Sequence, residues 1–261
     1  MTSGNDAELF AETRGSGPDV ILLHGWGLHG GIWEDTAQAL AAEFRVTCID
    51  LPGHGRSPWP SGGIDLAALT RRLAAAVPAP AVWVGWSLGG MIALRLAADF
   101  PQQVRRLALI GALPRFVHAP DWPHAMTPQV LAQFARELEQ DYDGTLARFL
   151  ALQARGSEHG HETLRRLRQR LRERGTPDAR ALAAGLAWLR DIDLRSRLAD
   201  IRCPCLLIMG ERDLLAPHAA GRDTVQAMAR ARLHVIAGAG HAPFLSHAGE
   251  FQSVLRAFLR E

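Results

Sequence analysis

The sequence contains no lysine: all 29 of its Lys and Arg positions are arginine. That bias reads as the composition of a GC-rich genome rather than as a function. Against 27 Asp and Glu the net charge is only +2, too near neutral for a chain that works by gripping nucleic acid. Cysteine is scarce as well. Three residues make no disulfide framework, and Cys203-Pro-Cys205 opens an apolar run without further Cys or His at ligand spacing, so core packing is expected there and no metal site. No apolar run approaches the roughly 20 residues that span a bilayer. The opening Met1-Thr-Ser-Gly-Asn-Asp-Ala-Glu8 has neither the basic nor the apolar region of a secretory signal. These absences lead to the expectation of a cytoplasmic protein that is not membrane-bound. Internal repeats and low-complexity tracts are missing too.

What is present is a large apolar fraction, 48% against 21% charged, in 261 residues. That suits one domain carrying an insertion, or two small domains. Val20–Leu23, Val46–Ile49, Ala81–Val84, Leu107–Ile110, Cys205–Ile208 and Leu233–Ile236 are short apolar runs of the kind buried on both faces of a sheet. Helical patterns over Leu66–Val77, Met91–Phe100 and Thr224–Ala231 alternate with them, which predicts an α/β fold: a mostly parallel central sheet flanked by helices. From Pro114 to Arg190 the pattern is helical only. The expected organisation is a core of 1–113 and 191–261 with a helical cap, 114–190, over the sheet's C-terminal edge, where open α/β sheets bind ligands.

Directly after one buried run stands Gly85-Trp-Ser-Leu-Gly89. A G-x-S-x-G pentapeptide between strand and helix is a nucleophile elbow: the serine projects from a strained apex, and side chains two places to either side would collide. Ser87 is therefore the candidate nucleophile. It needs a base and an acid in the chain order Ser, Asp or Glu, His. Asp213 follows the strand Cys205–Ile208, and His241 follows the strand Leu233–Ile236 through a Gly-rich loop. Glu211 sits nearer the turn and reads as a solvated side chain. His234 reads as a strand residue, His247 as a helix start, and His118, His124, His159 and His161 fall in the cap. The oxyanion donors expected are the backbone N–H of Leu88 and that of Trp26, in the loop His24-Gly-Trp-Gly-Leu28. His24 reads as a structural residue of that loop, and Asp50, in Asp50-Leu-Pro-Gly-His-Gly-Arg-Ser57, as a loop anchor.

"HGWGL", "DLPGHGRS", "GWSLGG" and "GAGHAPF" together resemble the α/β-hydrolase family. "LHGWGL", "GWSLGG", "RFLALQ" and "HAPFLSH" are similar, more narrowly, to its biotin-pathway branch, esterases acting on the methyl ester of a pimeloyl chain held by acyl carrier protein. Many other relatives carry histidine where Trp86 stands. The resemblance implies a serine esterase without cofactor, a monomer, whose substrate-binding residues are Trp26, Trp86, Leu88, Phe149, Leu152 and Gln153. Trp26 and Trp86 would flank the serine and exclude water. Cap arginines are implied to touch the carrier, Arg148 and Arg165 at two matching positions; two further positions are filled here by Gly144 and His161. Residues 114–190 hold 12 Arg against 9 Asp and Glu, and most of the excess lies in His161–Arg174, where Leu164, Leu167 and Leu171 form one apolar stripe. The arginines there read either as a solvated face or as a landing surface for an acidic partner. Two rival functions use the same residues: a general short-chain carboxylesterase or carbon–carbon bond hydrolase, and a non-catalytic ligand receptor.

Overall fold

The computed structural model describes residues 8–261; the reading of Met1–Ala7 as free of a signal lies outside them. Seven strands form one sheet: β1 (Ala11–Arg14), β2 (Asp19–Leu23), β3 (Arg45–Ile49), β4 (Ala81–Trp86), β5 (Val104–Ile110), β6 (Cys205–Gly210) and β7 (Ala231–Ile236), in the spatial order β1-β3-β2-β4-β5-β6-β7. All neighbours pair in parallel except β1, which runs antiparallel to β3. The six apolar runs each fall within a strand. β1 escapes the apolar pattern because Ala-Glu-Thr-Arg covers an edge and is mostly exposed. β7, expected to be buried on both faces, is the opposite edge and is mostly half-buried, with His234 bonded to Glu250 at 2.8 Å.

The helices are α1 (Glu34–Leu40), α2 (Leu66–Ala76), α3 (Leu88–Asp99), α4 (Pro128–Gln140), α5 (Tyr142–Ala154), α6 (Gly160–Glu173), α7 (Ala179–Asp191), α8 (His218–Gln226), α9 (Pro243–Ser246) and α10 (Ala248–Arg260). The helix expected over Thr224–Ala231 is displaced. α8 starts just after Pro217 and has ended before Ala231, which opens β7. Pro217 sets that start, since proline is tolerated only at a helix entrance.

From β2 the chain passes outward to β3, then crosses to β4 on the other side of β2. That reversal opens a crevice at the C-terminal ends of β2 and β4, the place where such sheets bind ligands. α4–α7, inserted between β5 and β6, lie over this edge. Trp26 Nε1 donates to the Leu182 carbonyl of α7 at 2.8 Å, and Asp178 N–H donates to the Gly53 carbonyl at 2.7 Å. The chain's entry to and exit from the insertion are tied together, with Arg115 bonded to Asp193 at 2.8 Å and Leu194 N–H to the Pro114 carbonyl at 2.9 Å. Among the described residues no helix is long and apolar enough to cross a membrane.

Candidate active site

β4 is buried along its whole length and delivers Ser87 to the head of α3. Ser87 has φ 54° and ψ −118°, and among the described residues it is the one non-glycine with positive φ. Such a conformation costs on the order of 1–3 kcal/mol and persists only where the surroundings enforce it. Here they do. Ser87 N–H donates to the Ile110 carbonyl at 2.9 Å, and the turn presses backbone on backbone. A Cβ at Gly85 would strike the Gly89 carbonyl oxygen; one at Gly89 would lie 2.5 Å from the His24 oxygen and 2.6 Å from that of Leu23.

Asp213 sits just beyond β6 with a fully buried side chain. Its Oδ1 accepts the amides of Leu215 (2.8 Å) and Ala216 (2.9 Å), which leaves Oδ2 for His241 Nδ1 at 2.8 Å. A carboxylate on that side puts the ring hydrogen on Nδ1 and the lone pair on Nε2. His241 Nε2 is buried and has no hydrogen-bond partner among the described residues. Ser87 Oγ is not bonded to it here; such contacts tighten when a substrate is seated. Gly111, which the sequence reading passed over, closes the site from below. Its φ is +50°, and a Cβ there would lie 3.0 Å from His241 Nδ1 and 3.2 Å from Asp213 Oδ2. The signal was available: a glycine directly after the buried run Leu107–Ile110.

The amides of Trp26 and Leu88 stand at the crevice between β2 and β4. Leu88 opens α3, so its N–H lacks an intrahelical acceptor and carries the positive end of the helix dipole. Among the described residues no group accepts the Trp26 N–H. Behind them His24 takes Leu51 N–H on Nε2 (2.9 Å) and therefore gives its Nδ1 hydrogen to the Gly25 carbonyl (2.8 Å). Burial, reinforced by His54, holds its pKa well below the usual value, so it stays neutral. His54 is pushed down to about 4 by burial. Asp50 anchors the neighbouring loops, accepting Gly30 N–H (2.6 Å), Arg56 N–H (2.9 Å) and the Arg174 guanidinium (3.0 Å).

Trp26, Leu88 and Phe149 meet in one apolar cluster, the Trp26 and Phe149 rings 4.5 Å apart, with Phe134 5.3 Å beyond. Trp86 does not join them. Its indole lies in the second cluster, against Phe244 at 5.0 Å, and its Nε1 donates to the His241 carbonyl at 2.8 Å. Alternation along β4 explains this: Trp83 and Trp86 are three positions apart and so face opposite sides of the sheet. Leu152 is half-buried and lines a groove of about 550 Å³ between α5 and α6, beside Arg148, Arg155 and His161. Gln153 is buried, its carbonyl accepting His241 N–H at 3.3 Å. Glu211, read as a solvated side chain, is exposed; it also accepts the Gly238 amide at 2.9 Å and so steadies the loop leading to His241.

The arginines of the insertion divide. Arg166 and Arg170 pair with Asp35, and Arg174 with Asp50 and Glu12, all turned toward the sheet side. Arg165, Arg168 and Arg172 line a shallow groove on the outer face of α6 with His161; Arg165 is 4.0 Å from Glu162, and among the described residues the other two have no ion-pair partner. Arg148 is shared between Glu137 (3.0 Å) and Asp141 (3.3 Å). Gly144 stands in the first turn of α5, its amide capped by Asp141 at 2.9 Å. Among the described residues no cluster of three or more His, Cys, Asp or Glu is placed to hold a metal ion.

A strained serine at a strand–helix elbow and a buried Asp–His pair are equipment of acyl transfer through a serine. The chain belongs to the alpha/beta hydrolase fold family, whose model matches residues 18–248. Over 251 residues it is 49% identical to the pimeloyl-[acyl-carrier protein] methyl ester esterase of Stenotrophomonas maltophilia (strain R551-3), covering 96% of both chains. It is 48% identical to the protein of that name from Xanthomonas campestris pv. campestris (strain B100), covering 96% of this chain and 98% of that one. Among solved structures it is similar to the esterase EaEST from Exiguobacterium antarcticum (TM-score 0.89, 25% identity, 98% of this chain and 96% of that one). The enol-lactonase from Burkholderia xenovorans LB400 also superposes, with TM-score 0.85, 27% identity and 98% of each chain covered.

Proposed function

We propose that this chain is a serine carboxylesterase that hydrolyses the methyl ester of a pimeloyl chain carried on acyl carrier protein, releasing methanol and the free acid. The observation that carries this reading is the full-length likeness to esterases of that name. Ser87 Oγ attacks the ester carbonyl while its proton passes to His241 Nε2. Asp213 holds the ring through Nδ1 and stabilises the imidazolium. The oxyanion is received by the amides of Trp26 and Leu88, each such donor being worth about 3 kcal/mol of barrier. His241 then protonates the departing methoxide, and water, deprotonated by the same nitrogen, cleaves the acyl-enzyme and restores Ser87. No cofactor enters any step. Ser87, at 4% exposure, and Trp26 and His241, at 1% each, sit sealed from bulk water.

In this reading Trp26, Leu88, Phe149, Leu152 and Gln153 border the acyl chain, and the carrier docks on the cap, where Arg148 and Arg165 are exposed. The core is 1–113 with 191–261, and 114–190 is the cap. The three cysteines are all free, in keeping with a reducing compartment, the cytosol.

The test is conversion of methyl-pimeloyl-acyl carrier protein to the acid, at low and moderate salt, beside a free p-nitrophenyl ester of similar length. The expected result is fast turnover of the carrier-bound ester, weakened by salt, and loss of both reactions in Ser87→Ala. Turnover of the free ester alone would leave a general carboxylesterase, and activity retained by Ser87→Ala would overturn the site.

A further inference from the structure

His241 is held by more than its carboxylate. Its backbone N–H donates to the Gln153 carbonyl of α5 (3.3 Å), and its backbone carbonyl accepts the Trp86 indole N–H (2.8 Å). With Nδ1 on Asp213, three of the residue's four polar groups are occupied, and only Nε2 is open. The bond from Trp86 is made entirely out of water, since donor and acceptor residues are both buried to 1% exposure or less. An orphaned carbonyl there would bear the full desolvation penalty. The same indole lies against the oxyanion loop: a Cβ on Gly25 would be 2.9 Å from its Cε3. One side chain, adjacent to Ser87 in the chain, thus touches the loop of the base and the loop of the Trp26 amide.

We propose that Trp86 is a positioning residue for the reaction, its indole N–H fixing the His241 peptide so that Nε2 stays trained on Ser87, rather than a wall of the acyl site. This rests on the triad of the preceding subsection. Covalent geometry supplies a discriminating pair of variants. In tryptophan the donor nitrogen follows Cα-Cβ-Cγ-Cδ in a five-membered ring, and histidine Nε2 occupies the same place in its own. Trp86→His therefore keeps a donor where the bond needs one and loses the benzo ring; Trp86→Phe keeps apolar bulk and loses the donor.

With a free p-nitrophenyl ester, Trp86→Phe should lower kcat about tenfold or more, a share of the 10²–10⁴-fold that a well-placed general base supplies, with KM within about twofold. Trp86→His should recover most of that kcat. Equal losses in the two variants, or a rise in KM with kcat intact, would overturn the proposal in favour of packing or a binding wall. Ser87→Ala run alongside keeps the two readings separate: turnover surviving there condemns the triad, whatever Trp86 does. Should either variant fold poorly, the wild-type protein decides. Its Trp86 indole proton should resist exchange with solvent and shift in the NMR spectrum when a fluorophosphonate modifies Ser87. A freely exchanging or unresponsive proton would overturn the proposal.

Discussion

The sheet edge and the helical insertion are held in place by different means. At the edge, backbone packs on backbone, Gly85 on Gly89 and Gly89 on Leu23 and His24, while the Gly111 backbone packs on the side chains of the Asp213–His241 pair. The insertion is fastened by arginine, with Arg166 and Arg170 on Asp35, Arg174 on Asp50 and Glu12, and Arg115 on Asp193. Steric fit leaves no choice of residue, whereas an ion pair works with any partner that geometry brings near. The comparison teaches that the site's precision resides in the edge, where the close approach of backbone restricts each residue.

The largest expected effect attacks the edge. Gly89→Ala would put a methyl 2.5 Å from one carbonyl oxygen and 2.6 Å from another, both on rigid strand-end backbone. Neither neighbour can swing aside, so the elbow must deform. Ester turnover should fall by two orders of magnitude or more, measured beside circular dichroism to separate a deformed site from an unfolded chain. Wild-type rates in Gly89→Ala would show that the elbow is held some other way.

Next comes the strongest fastening of the insertion. Arg174→Ala would leave Asp50 fully buried without its cation, its remaining bonds being the amides of Gly30 and Arg56. Removing one partner of a buried pair costs about 3–5 kcal/mol. Urea denaturation should register that loss. Asp50 also holds the Gly30 amide, two residues beyond the oxyanion loop, so kcat should decline too. A change under about 1 kcal/mol would mean that Asp50 is neutralised by water instead.

This contrast also decides what could be read in advance. Ser87, Asp213, His241 and the β2 and β4 loops were legible because the elbow and strand-end topology restrict residue type at each position. Trp86 was legible only as a neighbour of the nucleophile: the motif does not say on which side of the sheet its ring falls. Composition showed an excess of arginine in the insertion, yet not that Arg166, Arg170 and Arg174 turn inward while Arg165, Arg168 and Arg172 turn outward. The partners of the inward three, Asp35, Asp50 and Glu12, are more than a hundred residues away. β1 was invisible because an edge strand needs no apolar alternation.

A smaller effect separates the two regions by pH. His24 and His54 are buried neutral behind the oxyanion loop, so their folded-state pKa values lie below the ordinary 6.5, that of His54 at about 4. The unfolded chain then takes up protons first as pH falls, and stability declines between about 6.5 and 4, by up to about 1.4 kcal/mol per pH unit for each histidine. An arginine guanidinium carries its charge throughout that window. Urea midpoints at pH 7, 6 and 5 should fall accordingly, and His54→Phe should flatten the fall. An unchanged slope in that variant would assign the effect to other groups.

The smallest effect divides the insertion itself. Arg168 and Arg172 face outward without ion-pair partners among the described residues, so replacing both with alanine should change stability by no more than about 0.5 kcal/mol. Free-ester turnover should be untouched, because neither residue approaches Ser87 by any contact seen here. An acidic carrier, however, would lose part of the field that draws it to the cap. The expected result is a few-fold drop in kcat/KM for the carrier-bound ester at low ionic strength, fading as salt screens the charges. Arg166→Ala combined with Arg170→Ala is the matched control: it removes the same two charges from the same helix, but from the side bonded to Asp35, and should cost stability instead. If both replacements slow the carrier reaction alike, net charge rather than the outward face guides docking, and the division of α6 into a fastening side and a receiving side would have to be given up.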